Sequence, residues 1–160
     1  MLFELEVRPA DSEIDREAAR VLAASRDLGI TTVRDLKASK SFLIQTDAQP
    51  ALVAETAGNL LVDSLVENHD IRTIRHAETS PDDADNRLIN VLFKPGVTDN
   101  VARSTMAALL ELGLKAEAVA TCRKYRINAD ASADDIARLA DRVLANDAIE
   151  HIVEGPLDMD

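Results

Sequence analysis

The sequence predicts an α+β protein made of two consecutive copies of one small unit, each an antiparallel sheet with its helices on one face. Three observations predict it. Segments that alternate apolar and polar residues open both halves of the chain. Stretches of helical period follow them, and both end at a Leu-Gly pair. The same residue types then return in the same order across the chain midpoint.

Phe3, Leu5 and Val7 alternate with Glu4 and Glu6, and Ile89, Val91 and Phe93 keep the same period of two, so both segments are predicted strands. Ile14, Ala18, Val21, Leu22, Ser25 and Leu28 follow helical spacing, as do Val101, Thr105, Ala108, Leu109 and Leu112. Gly29 and Gly113 sit just past these helices, where a left-handed cap is wanted. Two short extended segments come next in each half: Val33–Lys37 with Ser41–Thr46, and Glu117–Thr121 with Lys124–Asn128. Val53, Ala57, Leu60 and Leu61 mark one second helix; Ile136, Ala140, Val143 and Leu144 mark the other, opened by a Ser132 and Asp135 capping pair. A last strand follows around Ile71–Arg75 and around Ile149–Glu154. The pattern is β-α-β-β-α-β twice, the ferredoxin-like split arrangement in tandem.

Laid on one another, Phe3, Leu5, Val7 and Pro9 fall on Ile89, Val91, Phe93 and Pro95. Asp27-Leu28-Gly29-Ile30 falls on Glu111-Leu112-Gly113-Leu114, and Leu65-Val66-Glu67-Asn68 falls on Val143-Leu144-Ala145-Asn146. His76–Asn86 lacks a hydrophobic period, contains Ser80-Pro81 and is rich in aspartate. The expected organisation is a first repeat over residues 1–75, a connector over 76–87, a second repeat over 88–155 and a tail over 156–160 that leads to a catalytic part beyond this sequence.

Composition narrows the function. A net charge of −11 with 2% aromatic residues lacks the basic footprint and stacking groups of a nucleic-acid binder. No apolar run reaches the ~20 residues of a membrane helix. Glu4 and Glu6 stand where a signal peptide would carry basic residues, so a cytoplasmic protein is expected. There is no GxxxxGK[ST] or GxGxxG loop. His69, His76 and His151 lack ligand spacing, so no metal site is expected. Cys122 is the single cysteine and has no nucleophile-elbow glycines beside it, so it reads as a small residue at a strand junction. No catalytic, cofactor-binding or metal-binding residue is predicted.

Two features remain as candidate partner contacts. Lys94-Pro95-Gly96 makes a tight turn into a helix that Asp99 caps and that starts near Asn100. Arg123-Lys124-Tyr125-Arg126 groups three cations on an acidic chain; alternation puts Tyr125 and Ile127 on one strand face, Lys124 and Arg126 on the other. Solvated side chains on an exposed sheet face explain that run plainly, whereas the functional reading is a basic patch that docks an acidic partner.

The second half, with Lys94-Pro95-Gly96-Val97-Thr98-Asp99, Leu112-Gly113, Lys124-Tyr125, Leu144-Ala145-Asn146 and Ile149-Glu150, resembles the PurS-type small subunit of phosphoribosylformylglycinamidine synthase. Arg123 replaces the glycine that usually precedes the Lys-aromatic pair, which puts the hairpin there in doubt. The first half resembles a degenerate copy, so the chain is similar to the start of single-chain forms of the enzyme. The resemblance implies a non-catalytic part that bridges glutaminase and ATP-dependent synthetase and helps ammonia pass between them in purine biosynthesis. Those two parts are the implied partners, with a homodimer also allowed. ATP and magnesium would belong to the synthetase, and this chain would hold no cofactor. An amino-acid-binding regulatory module of the ACT type, with Pro95-Gly96-Val97 cradling a small ligand, is the alternative, and a ferredoxin-like enzyme is a third class.

Overall fold

A computed structural model describes residues 1–75 and 81–158, the side chains of Pro81 and Asp82 excepted. Along the chain run β1 (Leu2–Pro9), α1 (Arg16–Asp27), β2 (Leu36–Gln45), α2 (Pro50–Leu61), β3 (Glu67–Ile74), α3 (Pro81–Ala84), β4 (Asn86–Phe93), α4 (Asn100–Glu111), β5 (Ala118–Asn128), α5 (Ala133–Leu139) and β6 (Glu150–Glu154). All six strands form one antiparallel sheet in the order β3-β1-β2-β5-β4-β6. The order reads the same from both ends once β1, β2 and β3 are exchanged for β4, β5 and β6. The α+β class and the antiparallel, ferredoxin-like layout are therefore what the structure shows.

One element differs from expectation. The paired short segments between the helices are single long strands, β2 and β5, so among the described residues each half has three strands rather than four. Neither Ala38-Ser39-Lys40 nor Cys122-Arg123 contains a glycine, proline or asparagine that would turn the chain. Leu36, Ala38, Phe42 and Ile44 fall on one period of two, interrupted only by the exposed Lys40, and all four are buried. Each long strand pairs with the other over its whole length, from Leu36 opposite Ile127 to Gln45 opposite Ala118.

The helix ends follow local rules. Asp15 caps α1 by accepting from the Ala18 N–H at 2.9 Å, and Asp99 caps α4 through the Ala102 N–H at 2.9 Å. Ile14, expected in the α1 stripe, lies ahead of that cap and is 75% exposed. After α1, Gly29 takes φ +70° while the Ile30 N–H reaches Ser25 O; after α4, Gly113 takes φ +86° while the Leu114 N–H reaches Leu109 O. Ser132 caps α5 as expected, but the Asp135 carboxylate turns away to Thr32. Beyond α5 one π turn spans Ala140–Leu144. Leu139 is buried in place of the expected Ala140, and the extra residue brings Leu144, five positions on, back to the core face.

Helix packing crosses between the halves. One core joins Ala18 and Val21 of α1 to Ile136, Leu139 and Leu144 around α5, over Ile89, Val91, Tyr125 and Ile127. A second joins Val53 and Ala57 of α2 to Leu109 of α4, over Phe3, Leu5, Val7, Phe42 and Ile44, and a small third gathers Ile74, Cys122 and Leu157. Each of the two helix-covered cores thus draws one helix from residues 1–75 and one from the second half. The long strands carry both: Leu36 and Ala38 serve the first core, Phe42 and Ile44 the second. Of the expected connector, residues 76–80 lie outside the described residues, and β4 already begins at Asn86.

Strand register also corrects the alignment of the two halves. Lys40 faces Arg123 at the sheet centre, flanked by Val7 and Val91 in the same row. Pro9 faces Glu67 and Phe93 faces Glu150, so the counterpart of Pro9 is Phe93 rather than Pro95. A slip of two residues leaves every side chain on its own face, so hydrophobic pattern alone cannot detect it.

Candidate functional site

Lys94 leaves β4 with its N–H donating to Ile149 O at 2.8 Å, and its ammonium pairs with Asp147 at 3.5 Å. Pro95 is exposed, and Gly96 holds φ +86° with open space where a Cβ would stand. The constraint on Gly96 is therefore backbone conformation, not crowding. At the far end of this turn, Asp99 Oδ2 accepts from the Thr121 N–H at 2.8 Å and the Thr121 hydroxyl at 2.7 Å. Asp15 does the same for the Ala38 N–H at 2.8 Å. Both aspartates thus pin a helix start to the middle of a long strand.

The Arg123–Arg126 run does not form the exposed patch expected of it. Alternation is as predicted, but Lys124 and Tyr125 are both wholly buried. On the helix side, the Tyr125 hydroxyl donates to Glu17 at 2.8 Å and receives the Arg123 guanidinium at 3.3 Å. Burial pushes the phenol up to about 12, and the Glu17 carboxylate pushes the same way. Arg123 also pairs with Glu150 at 2.6 Å, and its facing residue Lys40 pairs with Glu67 at 2.9 Å. Glu67 accepts the Asp63 N–H at 2.9 Å, and Glu150 accepts the Asn146 N–H at 2.8 Å. These glutamates tie both helix-to-strand turns to the sheet centre, which is the structural use of the Asn and Glu of the second-half motif.

On the opposite face, Lys124 Nζ donates to Glu4 Oε1 at 2.6 Å and stands 3.6 Å from Glu6. Glu4 also accepts from Ser41 at 2.8 Å and Arg72 at 2.8 Å. Arg126 forks onto Glu6 and donates to Asp83 of α3 at 2.8 Å. Burial alone would raise the Glu6 carboxyl, but the Arg126 hydrogen bonds with the Lys124 and Arg126 charges hold it down to about 2. Three carboxylates meet three cations here, so the cluster is close to neutral, with Asp83 Oδ2 left buried without a hydrogen-bond partner among the described residues. Its chemistry is that of a fastener between the two halves and α3.

Sequence reading missed Glu4 and Glu6. The available signal was an acidic residue at every second place of an apolar strand, matched by Lys124 and Arg126 at every second place of another. Cys122 lies beside this cluster, 2% exposed, with its thiol pushed up to about 12 by burial. A thiol so held is a poor nucleophile. His69 and His151 are exposed, and His76 and Ser80 lie outside the described residues. Among the described residues there is no group of three His, Cys, Asp or Glu side chains able to hold a metal, and no helix long and apolar enough to cross a membrane.

Residues 87–154 match the family model PurS, phosphoribosylformylglycinamidine (FGAM) synthase. Over those residues, less than half of the chain, the second half is similar to the PurS family. The matched residues take in β4 from Arg87 on, α4, β5, α5 and β6. A search of curated proteins finds no match.

Proposed function

We propose that this chain is a non-catalytic, tandem PurS-like part of FGAM synthase that bridges the glutaminase and the ATP-dependent synthetase in the cytoplasm, so that ammonia passes from one to the other. The observation that carries the reading is the PurS match together with the wiring of the first half. Residues 1–75 repeat the strand order, the capping aspartate, the Leu-Gly helix end and the glutamate at the last strand. One chain thereby supplies both halves of a two-fold sheet. ATP and magnesium are assigned to the synthetase part, as the PurS resemblance implies.

The proposed contact on the second half is the exposed Lys94-Pro95-Gly96 turn with the half-exposed Arg123 guanidinium. Lys124 and Tyr125 support that surface from inside. The test is reconstitution with separately purified synthetase and glutaminase parts. Glutamine-dependent turnover should require this chain, whereas turnover with added ammonium chloride should not. Equal glutamine-dependent turnover with and without the chain would overturn the proposal.

A further inference from the structure

The two halves differ at one place that the strand register identifies residue by residue. A cavity of about 450 Å³ opens on the helix side of the first half, beside the start of α1. Its lining includes Val7, Pro9, Ile14, Ala38, Val66 and Tyr125. The equivalent positions of the second half follow from shared contacts. Pro9 and Phe93 both face the glutamate that opens the last strand. Ala38 and Thr121 both donate their N–H to the helix-capping aspartate. Val66 and Ile149 both accept the N–H of the residue that leaves the first strand, Ala10 and Lys94.

At all three positions the first half carries the smaller side chain: proline for phenylalanine, alanine for threonine, valine for isoleucine. At these three positions the second half carries more side-chain volume than the first. Ile14 stands at the edge of this volume, 75% exposed, and Val66 is 40% exposed. Apolar groups left open around an apolar hollow mark a core completed from outside. The rim is mixed in charge. Arg8, Lys40 and Arg123 are each paired to a carboxylate, whereas Arg16 and Glu13 make no ion pair among the described residues. A mixed rim disfavours a strongly charged ligand and suits the polar backbone of a peptide.

We infer that this cavity is a docking socket for a segment of a partner protein that inserts one large apolar side chain, aromatic in shape like the Phe93 that occupies the equivalent position. The inference rests on the proposed role as a bridging part, and names a second contact, on the first half, for the same partners. Val7, Pro9 and Val66 make the walls; Arg16 and Glu13 are free to bond the inserted segment's backbone.

The test installs the second half's residues in the first. Pro9→Phe and Ala38→Thr together should fill the socket while the thermal midpoint stays level or rises. Affinity for the synthetase and glutaminase parts should fall at least about tenfold, as expected for loss of a buried anchor. Phe93→Leu serves as a control outside the socket, with affinity unchanged. In parallel, N-acetyl-phenylalaninamide is titrated into isotopically labelled chain. Saturable shifts of the Ala38 and Tyr125 amides are expected in the unaltered chain and not in the filled one. A folded, filled variant with unchanged affinity overturns the socket while leaving the bridging role intact. If the unaltered chain binds neither part, the bridging role fails, and the titration alone decides: absent or non-saturable shifts overturn the socket too. A second copy of the chain as occupant would show as self-association that filling abolishes, which also counts against a foreign segment.

Discussion

Replacing Lys124 by methionine should cost this protein a large share of its stability. Lys124 and Glu4 are both 0% exposed, and their 2.6 Å contact spans from β5 to β1, the two halves of the chain. Methionine keeps an unbranched stem of similar volume, so little packing is lost. What changes is electrostatic: Glu4 remains buried with Ser41 and the partly exposed Arg72, while Glu6 keeps Arg126. Removing one partner of a buried pair costs about 3–5 kcal/mol. A domain of this kind is stable by roughly 5–15 kcal/mol in total. With a urea slope of about 1–3 kcal/mol per molar, the unfolding midpoint should drop by roughly 1–5 M. Glu4→Gln alone should also destabilise, because Lys124 then has only the 3.6 Å approach to Glu6. The double variant Lys124→Met, Glu4→Gln leaves neither charge orphaned and should recover at least about 2 kcal/mol relative to the sum of the singles. Urea unfolding followed by circular dichroism measures all four proteins. A loss of less than about 1 kcal/mol in Lys124→Met is the value of a solvated surface pair, and would refute the buried-fastener reading.

Glu6 is held at about 2 in the folded chain against 4.5 for an unperturbed glutamate, so its contribution is full above 4.5 and disappears as pH falls toward 2. Up to about 3 kcal/mol should be lost across that window, and Glu6→Gln should flatten the acid limb of the stability curve; an unchanged slope contradicts the assignment. Cys122 should resist a thiol reagent such as dithiobisnitrobenzoate in the native state and react fully in urea, because it is 2% exposed and its thiol is pushed up to about 12. Fragments 1–75 and 86–158 should each lack dispersed amide spectra alone and regain them when mixed, since each helix-covered core takes one helix from either fragment. A well-folded isolated fragment would show that the cores are separable.

Much of the fold was legible in the sequence because its cues are local. Period-two strands, helix stripes, the aspartate cap before α4 and the left-handed glycines after α1 and α4 act within a few residues, and all four recur in the structure. The second-half motif was enough to bring the PurS family to the page. Three matters needed the tertiary structure. Whether the middle segments turn or run on depends on what lies beneath them, and two shared cores require strands long enough to cross both. Register depends on pairing partners, and a period of two is blind to a slip of two, which hid the match of Pro9 with Phe93. Exposure of Arg123–Arg126 depends on the residues opposite. A lysine in a sequence reads as solvated, yet Glu4 and Glu6, more than a hundred positions away, make its burial affordable by hydrogen bonds that only the folded sheet brings together.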